Sequence, residues 1–218
     1  LSDNRYFVIL YIDTIYEIAP SKEAVWRRAK LLILEISEEL EIKDTYRVNT
    51  APLIKNCILL TDSTMLLLCD KFQLTATVEG EICRIYPMFT VYNIKKGKPI
   101  FEKDYPEVGI GPAVDLVKTS DGKYVILGNV YSPGDSSDIM LMKVDKKGRQ
   151  LWTKTFGGDG NDIGYYIERT PNDELFIAGL TMSRKSDTSN IYIIKVDKNG
   201  NEKWTKIIGG KMADIIYA

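Results

Sequence analysis

Asp138 to Gly158 reads DIMLMKVDKKGRQLWTKTFGG, and Asn190 to Gly210 reads NIYIIKVDKNGNEKWTKIIGG. In each copy an apolar run meets an Asp-Lys-x-Gly turn, and a second run follows that is centred on a Trp and closed by Gly-Gly. A short hairpin needs a positive φ near the position of Gly148 and Gly200, which glycine supplies without steric cost. Self-similarity at this scale is the mark of a repeat architecture, so the period is sought before single elements are assigned.

Working outward, Thr119–Gly128 (TSDGKYVILG) has counterparts at Leu1–Leu10, Leu60–Cys69 and Thr170–Gly179, each a polar turn before an apolar strand. A run that is apolar throughout fits a strand covered on both faces. The Trp hairpin recurs as Phe89–Tyr105, with Gly97 at the turn and Phe101 in the Trp position. It recurs more loosely as Leu31–Tyr46. One more strand precedes each polar turn, at Ile54–Leu59, Ala113–Lys118 and Gly164–Arg169. Four short antiparallel strands per unit are the sequence mark of a propeller blade. Tyr124–Asn129 and Leu175–Thr181 are expected at equivalent places in successive sheets.

The expected fold is all-β: a single β-propeller domain over 1–218 with about four four-stranded blades, near 1–50 plus 212–218, 51–107, 108–158 and 159–211. Gly209–Ala218 matches Gly157–Tyr166, so the C-terminal strand is expected to join the N-terminal blade and close the ring, removing two sheet edges. The alternative is a piece of a larger ring, or a ring of eight blades to which two such chains each give half. Ser21 as a cap, with apolar residues at helical spacing, predicts a short helical insertion near 21–29, or a continuous helix to Leu40. Loops between second and third strands vary most, around Ser21, from Thr75 to Pro87, and at Tyr131–Ser137 and Met182–Ser189. Insertions are therefore expected on one rim. Trp152 and Trp204 are expected to fill wedges between neighbouring blades.

The hydrophobic fraction is 44% and the charged fraction 27%, with a net charge of -1 that shows no basic stripe. That excludes a nucleic-acid groove of the usual kind. No apolar run reaches the length of a membrane helix. The chain has no histidine, which removes the commonest acid-base residue and metal ligand. Its three cysteines, Cys57, Cys69 and Cys83, suit buried thiols rather than a disulfide framework or a metal site. Scarce Gln with plentiful Ile, Lys and Glu leans toward a heat-adapted source. Gly157–Asp162 and Asp135–Asp138 offer oxygen ligands but lack a calcium-loop spacing, so they are assigned to turns. No nucleophile elbow, phosphate loop or Cys-x-x-Cys is present. Catalytic residues are accordingly unassigned, and no cofactor or metal is expected.

Lys143–Trp152 (KVDKKGRQLW) resembles the tryptophan-bearing repeat of the quinoprotein-like (PQQ-type) β-propellers. The longer pattern from Ser120 to Gly158 is similar to tandem repeats of uncharacterised archaeal and bacterial surface proteins. The resemblance is strong over Ala113–Gly210 and weaker before it. It implies a propeller fold and, for many relatives, export to the cell surface. It does not imply quinone chemistry, because the vicinal cysteines, calcium site and catalytic aspartate of such enzymes have no counterpart here. The function expected is a non-catalytic scaffold that presents loops to a protein or glycan partner, as monomer or homodimer. A carboxylate-based, carbohydrate-active enzyme with its site at the central channel is the alternative.

Overall fold

A computed structural model describes residues 6–18, 25–36, 41–50, 53–61, 63–77, 80–107, 110–131, 136–183, 188–210 and 212–216. Every regular element among them is a β-strand: β1 (Tyr6–Ile18), β2 (Val25–Ile36), β3 (Ile42–Thr50), β4 (Leu53–Thr61), β5 (Thr64–Thr77), β6 (Gly80–Asn93), β7 (Lys98–Asp104), β8 (Ile110–Lys118), β9 (Tyr124–Tyr131), β10 (Ser137–Val144), β11 (Gln150–Phe156), β12 (Asp162–Arg169), β13 (Leu175–Thr181), β14 (Asn190–Val196) and β15 (Glu202–Ile208). They form antiparallel sheets in chain order: β1-β2-β3, then β4-β5-β6-β7, β8 through β11, and β12 through β15. The four-strand unit expected from the sequence is present three times. Tyr124–Asn129 and Leu175–Thr181 lie in β9 and β13, the second strands of successive sheets.

The repeat extends to irregularities. Each first strand carries a bulge at the same place, between Ile54 and Asn56, Ala113 and Asp115, and Gly164 and Tyr166. Each third-to-fourth pairing carries another, at Val91/Tyr92, Lys143/Val144 and Lys195/Val196. The first sheet has this second bulge at Glu35/Ile36. So β1, β2 and β3 correspond to the second, third and fourth strands of the unit, and no first strand of this sheet is among the described residues. The turn glycines adopt the left-handed conformation their position demands, at φ 63° for Gly97, 68° for Gly148 and 79° for Gly200. In the preceding polar turns Gly122 has φ 71°, and Asp173 takes the same role at 59°.

The sheets pack face to face. Leu66, Leu68, Phe89 and Tyr105 of the second sheet meet Tyr124, Ile126, Met140, Met142 and Val144 of the third. Val125, Leu127, Ile139 and Leu141 on the third sheet's other face meet Leu175, Ile177, Tyr192, Ile194 and Val196 of the fourth. Adjacent residues of β9 therefore point into different cores, which is why Tyr124–Asn129 is buried without a break. The first strands approach one another, β4 to β8 and β8 to β12. The fourth strands β7, β11 and β15 are largely exposed. This arrangement is compatible with blades set around an axis.

Three expectations change. Val25–Ile36 is a strand, so neither the helical insertion over 21–29 nor a helix to Leu40 is present in its described part, and 21–24 lies outside the described residues. The backbone groups of Val25–Ala29 are satisfied instead by pairing with Thr14–Ile18. Thr75–Pro87 is not a loop: β5 and β6 pair without interruption from Thr64↔Asn93 to Thr77↔Gly80. Lastly, residues 212–216 lie in no strand, and the Asp214 amide donates to the Ser189 carbonyl (2.9 Å) at the rim of the fourth sheet. Among the described residues the first sheet has three strands and no ring-closing strand is seen.

Candidate functional site

Beside the hydrophobic cores, polar side chains that interrupt apolar strands tie neighbouring sheets together by hydrogen bonds. Asp70 ends the apolar run of β5, and Asn129 holds the equivalent place in β9. The Ala113 amide donates to Asp70 Oδ1 (2.7 Å), and the Gly164 amide donates to Asn129 Oδ1 (3.2 Å). In both cases the acceptor reaches the first strand of the next sheet. Asp70 is 1% exposed and also pairs with Lys55 (3.2 Å). Burial raises its carboxyl above the usual range, against the Ala113 hydrogen bond and the Lys55 charge.

A second polar row runs across the first strands just after their bulges. The Asn56 amide donates to Asp115 Oδ1, and the Ile167 amide donates to Asp115 Oδ2 (3.3 Å). Asp115 thus links three sheets. The next member of the row, Tyr166, is exposed and donates to Glu168 Oε2 (2.7 Å), which with the Glu168 charge raises its phenol. This row sits where the first strands converge, but Asp115 is committed to backbone and amide donors. Its arrangement is that of a clamp.

The carboxylates that stand out electrostatically are at one rim. Asp138 and Asp162 lie on either side of Gly157, so that a Cβ there would overlap both carboxylates. Asp162 is fully buried, and its Oδ2 accepts from the Gly158 amide (2.9 Å) and the Ser183 hydroxyl (2.6 Å). Burial and the Asp162 charge push the Asp138 carboxyl up, opposed in part by the Gly158 amide. Ser137 and Asp138, assigned to a turn from sequence, belong to β10. Gly157–Asp162 is a turn leading into β12, as expected. Among the described residues no group of three or more acidic or thiol side chains is placed to hold a metal ion. Cys57 and Cys69 are free thiols, both raised by burial, whereas the Cys83 side chain lies outside the described residues.

The remaining feature is two hairpin arms. In the second sheet the described pairing of β4 reaches Asp70 and that of β7 reaches Met88, while β5 and β6 continue together to Thr77 and Gly80. In the first sheet β3 ends opposite Ala29, while Thr14–Ile18 and Val25–Arg28 run on as a pair. Both arms occur at the junction of second and third strands, where the third and fourth sheets have short connections. The first arm carries Tyr16 opposite Arg27 and Glu17 opposite Trp26. Sequence reading placed insertions at this junction but missed their strand form. It also missed the Asp70, Asn129 and Asp115 links, whose available signal was a polar residue at matching places in apolar repeats.

Comparison with protein-family models and with curated proteins finds no match to this chain.

Proposed function

We propose that this chain is a propeller-type, non-catalytic binding scaffold that offers its hairpin arms to a protein or glycan partner. The observation that carries the reading is the pair of arms that outrun their own sheets at one junction. A two-stranded ribbon is marginal alone, so arms of this length are kept for what they contact rather than for the fold. Tyr, Trp and Arg, which dominate binding hot spots, all occur in the first arm, with Tyr16 opposite Arg27 in register and Trp26 opposite Glu17. The quinoprotein-like resemblance supports the propeller reading, and its surface-protein relatives support a cell-surface location.

Lys71 and Tyr86 are opposite each other, so residues 72–85 can be replaced by a two-residue Asn-Gly turn. Of the described side chains in this stretch, Arg84 and Ile85, neither belongs to the three hydrophobic cores. The expected result is an unchanged melting midpoint together with loss of the partner that the intact chain captures on protein or glycan arrays. Retained capture after the replacement would remove the second arm from the site.

A carboxylate-based, carbohydrate-active enzyme is favoured by one observation, the Asp138–Asp162 pair with one carboxyl raised. Against it, Asp162 is fully buried and engaged by Gly158 and Ser183. Glycoside turnover by the intact chain that disappears in Asp138→Asn would establish the enzyme reading over the scaffold.

A further inference from the structure

Equivalent places in successive sheets separate what the fold requires from what one copy adds. Near the start of the third strand the residue is Tyr86 in the second sheet, Asp138 in the third and Asn190 in the fourth, as the pairings Tyr86↔Lys71, Asp138↔Val130 and Asn190↔Thr181 place it. The residue that opens the next first strand is Ile110 after the second sheet and Asp162 after the third, by Ile110↔Val130 and Asp162↔Thr181. Between the second and third sheets, then, the two positions hold a tyrosine and an isoleucine. Between the third and fourth they hold two acids. Since one sheet contact forms without an acid pair, packing alone does not call for one in the other.

The two acids are incompletely answered. Asp162 is 0% exposed, and its Oδ2 accepts from the Gly158 amide (2.9 Å) and the Ser183 hydroxyl (2.6 Å), while its buried Oδ1 has no hydrogen-bond partner. Asp138 Oδ1 is likewise buried without a partner. A buried carboxylate oxygen with neither donor nor cation is costly. Asp70 meets Lys55 (3.2 Å) and Glu174 meets Lys195 (2.7 Å). Among the described residues, no such ion pair reaches Asp138 or Asp162. The turn beside them is held in place. The Gly160 amide donates to Ser183 Oγ (3.0 Å), the Ser137 amide to Asn161 Oδ1 (3.0 Å) and the Met182 amide to the Asn161 carbonyl (2.8 Å). Gly157, Gly158 and Asn161 are exposed, so the pair lies directly beneath solvent.

We infer that Asp138 and Asp162 bind one hard divalent cation of the Ca²⁺ class at the rim between the third and fourth sheets. A Cβ on Gly157 would overlap Asp138 Oδ1 and fall 2.7 Å from Asp162 Oδ2. The two carboxylates are thus close enough for a single Ca²⁺, at about 2.3–2.6 Å from each, to span them. Two carboxylates neutralise a double charge, and the partnerless oxygens supply the ligands. No third acid or thiol joins them among the described residues, so water and neutral oxygens complete the shell. That composition places the affinity at the weak end, about 0.1–1 mM, and a shell of this kind suits Ca²⁺ better than the strictly octahedral Mg²⁺. The ion would tie β10 to β12 at the junction where the first two sheets carry their arms. The inference is independent of what the arms bind.

The test is the melting midpoint of the intact chain near neutral pH, stripped with EDTA and then given Ca²⁺ at constant ionic strength. Roughly 10 mM Ca²⁺ against an affinity of about 1 mM should raise the wild-type midpoint by about 3–6 °C. Calorimetric titration should count one ion per chain. Asp138→Asn should lose most of the rise, and the fold accepts an amide there, since Asn190 holds the equivalent place in the fourth sheet. Asp159→Asn, at an exposed acid of the same turn, should keep it. A wild type that neither binds nor is stabilised by Ca²⁺ would overturn the inference, and the pair would then hold a shared proton only. An equal rise in the wild type and Asp138→Asn would overturn it as well, because the ions would then act on the general surface. The wild-type titration decides the matter even where a variant fails to fold.

Discussion

Phe89→Ala is expected to lower the unfolding free energy by about 3–5 kcal/mol, the usual cost of emptying a large aromatic site in a core. Phe89 is fully buried and lies edge-on to Tyr124 across the sheet contact, with ring centroids 5.5 Å apart and planes at 62°. The ring belongs to β6 and its partners to β9 and β10, so the cavity would open between two sheets rather than within one. Neither sheet can close it without moving against Asp70 and Asp115, which fix the first strands by hydrogen bonds. Against a typical domain stability of about 5–15 kcal/mol, the loss would show as a large drop in the urea midpoint. A drop worth less than about 1 kcal/mol would mean that the second and third sheets do not share a core.

The same contact explains which parts of the fold were legible in the sequence. The third and fourth sheets announce themselves because turn chemistry and strand pattern agree: Asp145 and Asp197 each accept from the amides of their own turn, and glycine follows at the left-handed position. Each link there is local, so a single copy of the motif carries it. The first sheet is different. Val25, Ala29 and Ile36 satisfy a helical spacing, and only pairing with β1, which spacing does not encode, decides in favour of strand. The arms were illegible for a related reason. Over Phe72–Thr77 and Gly80–Ile85 the pairing is a continuation of register set further down the same hairpin. The inter-sheet links at Asp70 and Asn129 depend on a partner amide far along the chain, so the sequence shows the odd residue without its purpose.

Equivalent positions also make a controlled experiment of the paired carboxylates. Around Gly157 the repeat places Asp138 and Asp162, and around Gly209 it places Asn190 and Asp214. The fold thus accepts an amide at the first position. Burial and the Asp162 charge raise the Asp138 carboxyl in the folded chain above its value of 3.8 in an open one. A raised folded value means that the folded state holds the proton more tightly. Its contribution to stability is complete below the unfolded value and is lost as pH rises through the folded one. Asp138→Asn cannot ionise and should escape that loss, so its advantage over the wild type should be absent in acid and grow toward neutral pH. Melting midpoints taken across that span test this, and a variant that falls further behind the wild type as pH rises would show that the two carboxylates do not repel. Gly157→Ala probes the same place by volume. Its methyl would overlap both carboxylates, and because Asp162 is held by Gly158 and Ser183, relief must come from Asp138 or from the backbone. An overpacking cost of about 1–3 kcal/mol is expected. It should be smaller in the Gly157→Ala, Asp138→Asn double variant, where the neutral side chain can move aside without leaving a buried charge. Strict additivity of the two substitutions would mean that the glycine is retained for its backbone and not for the space it leaves between the acids.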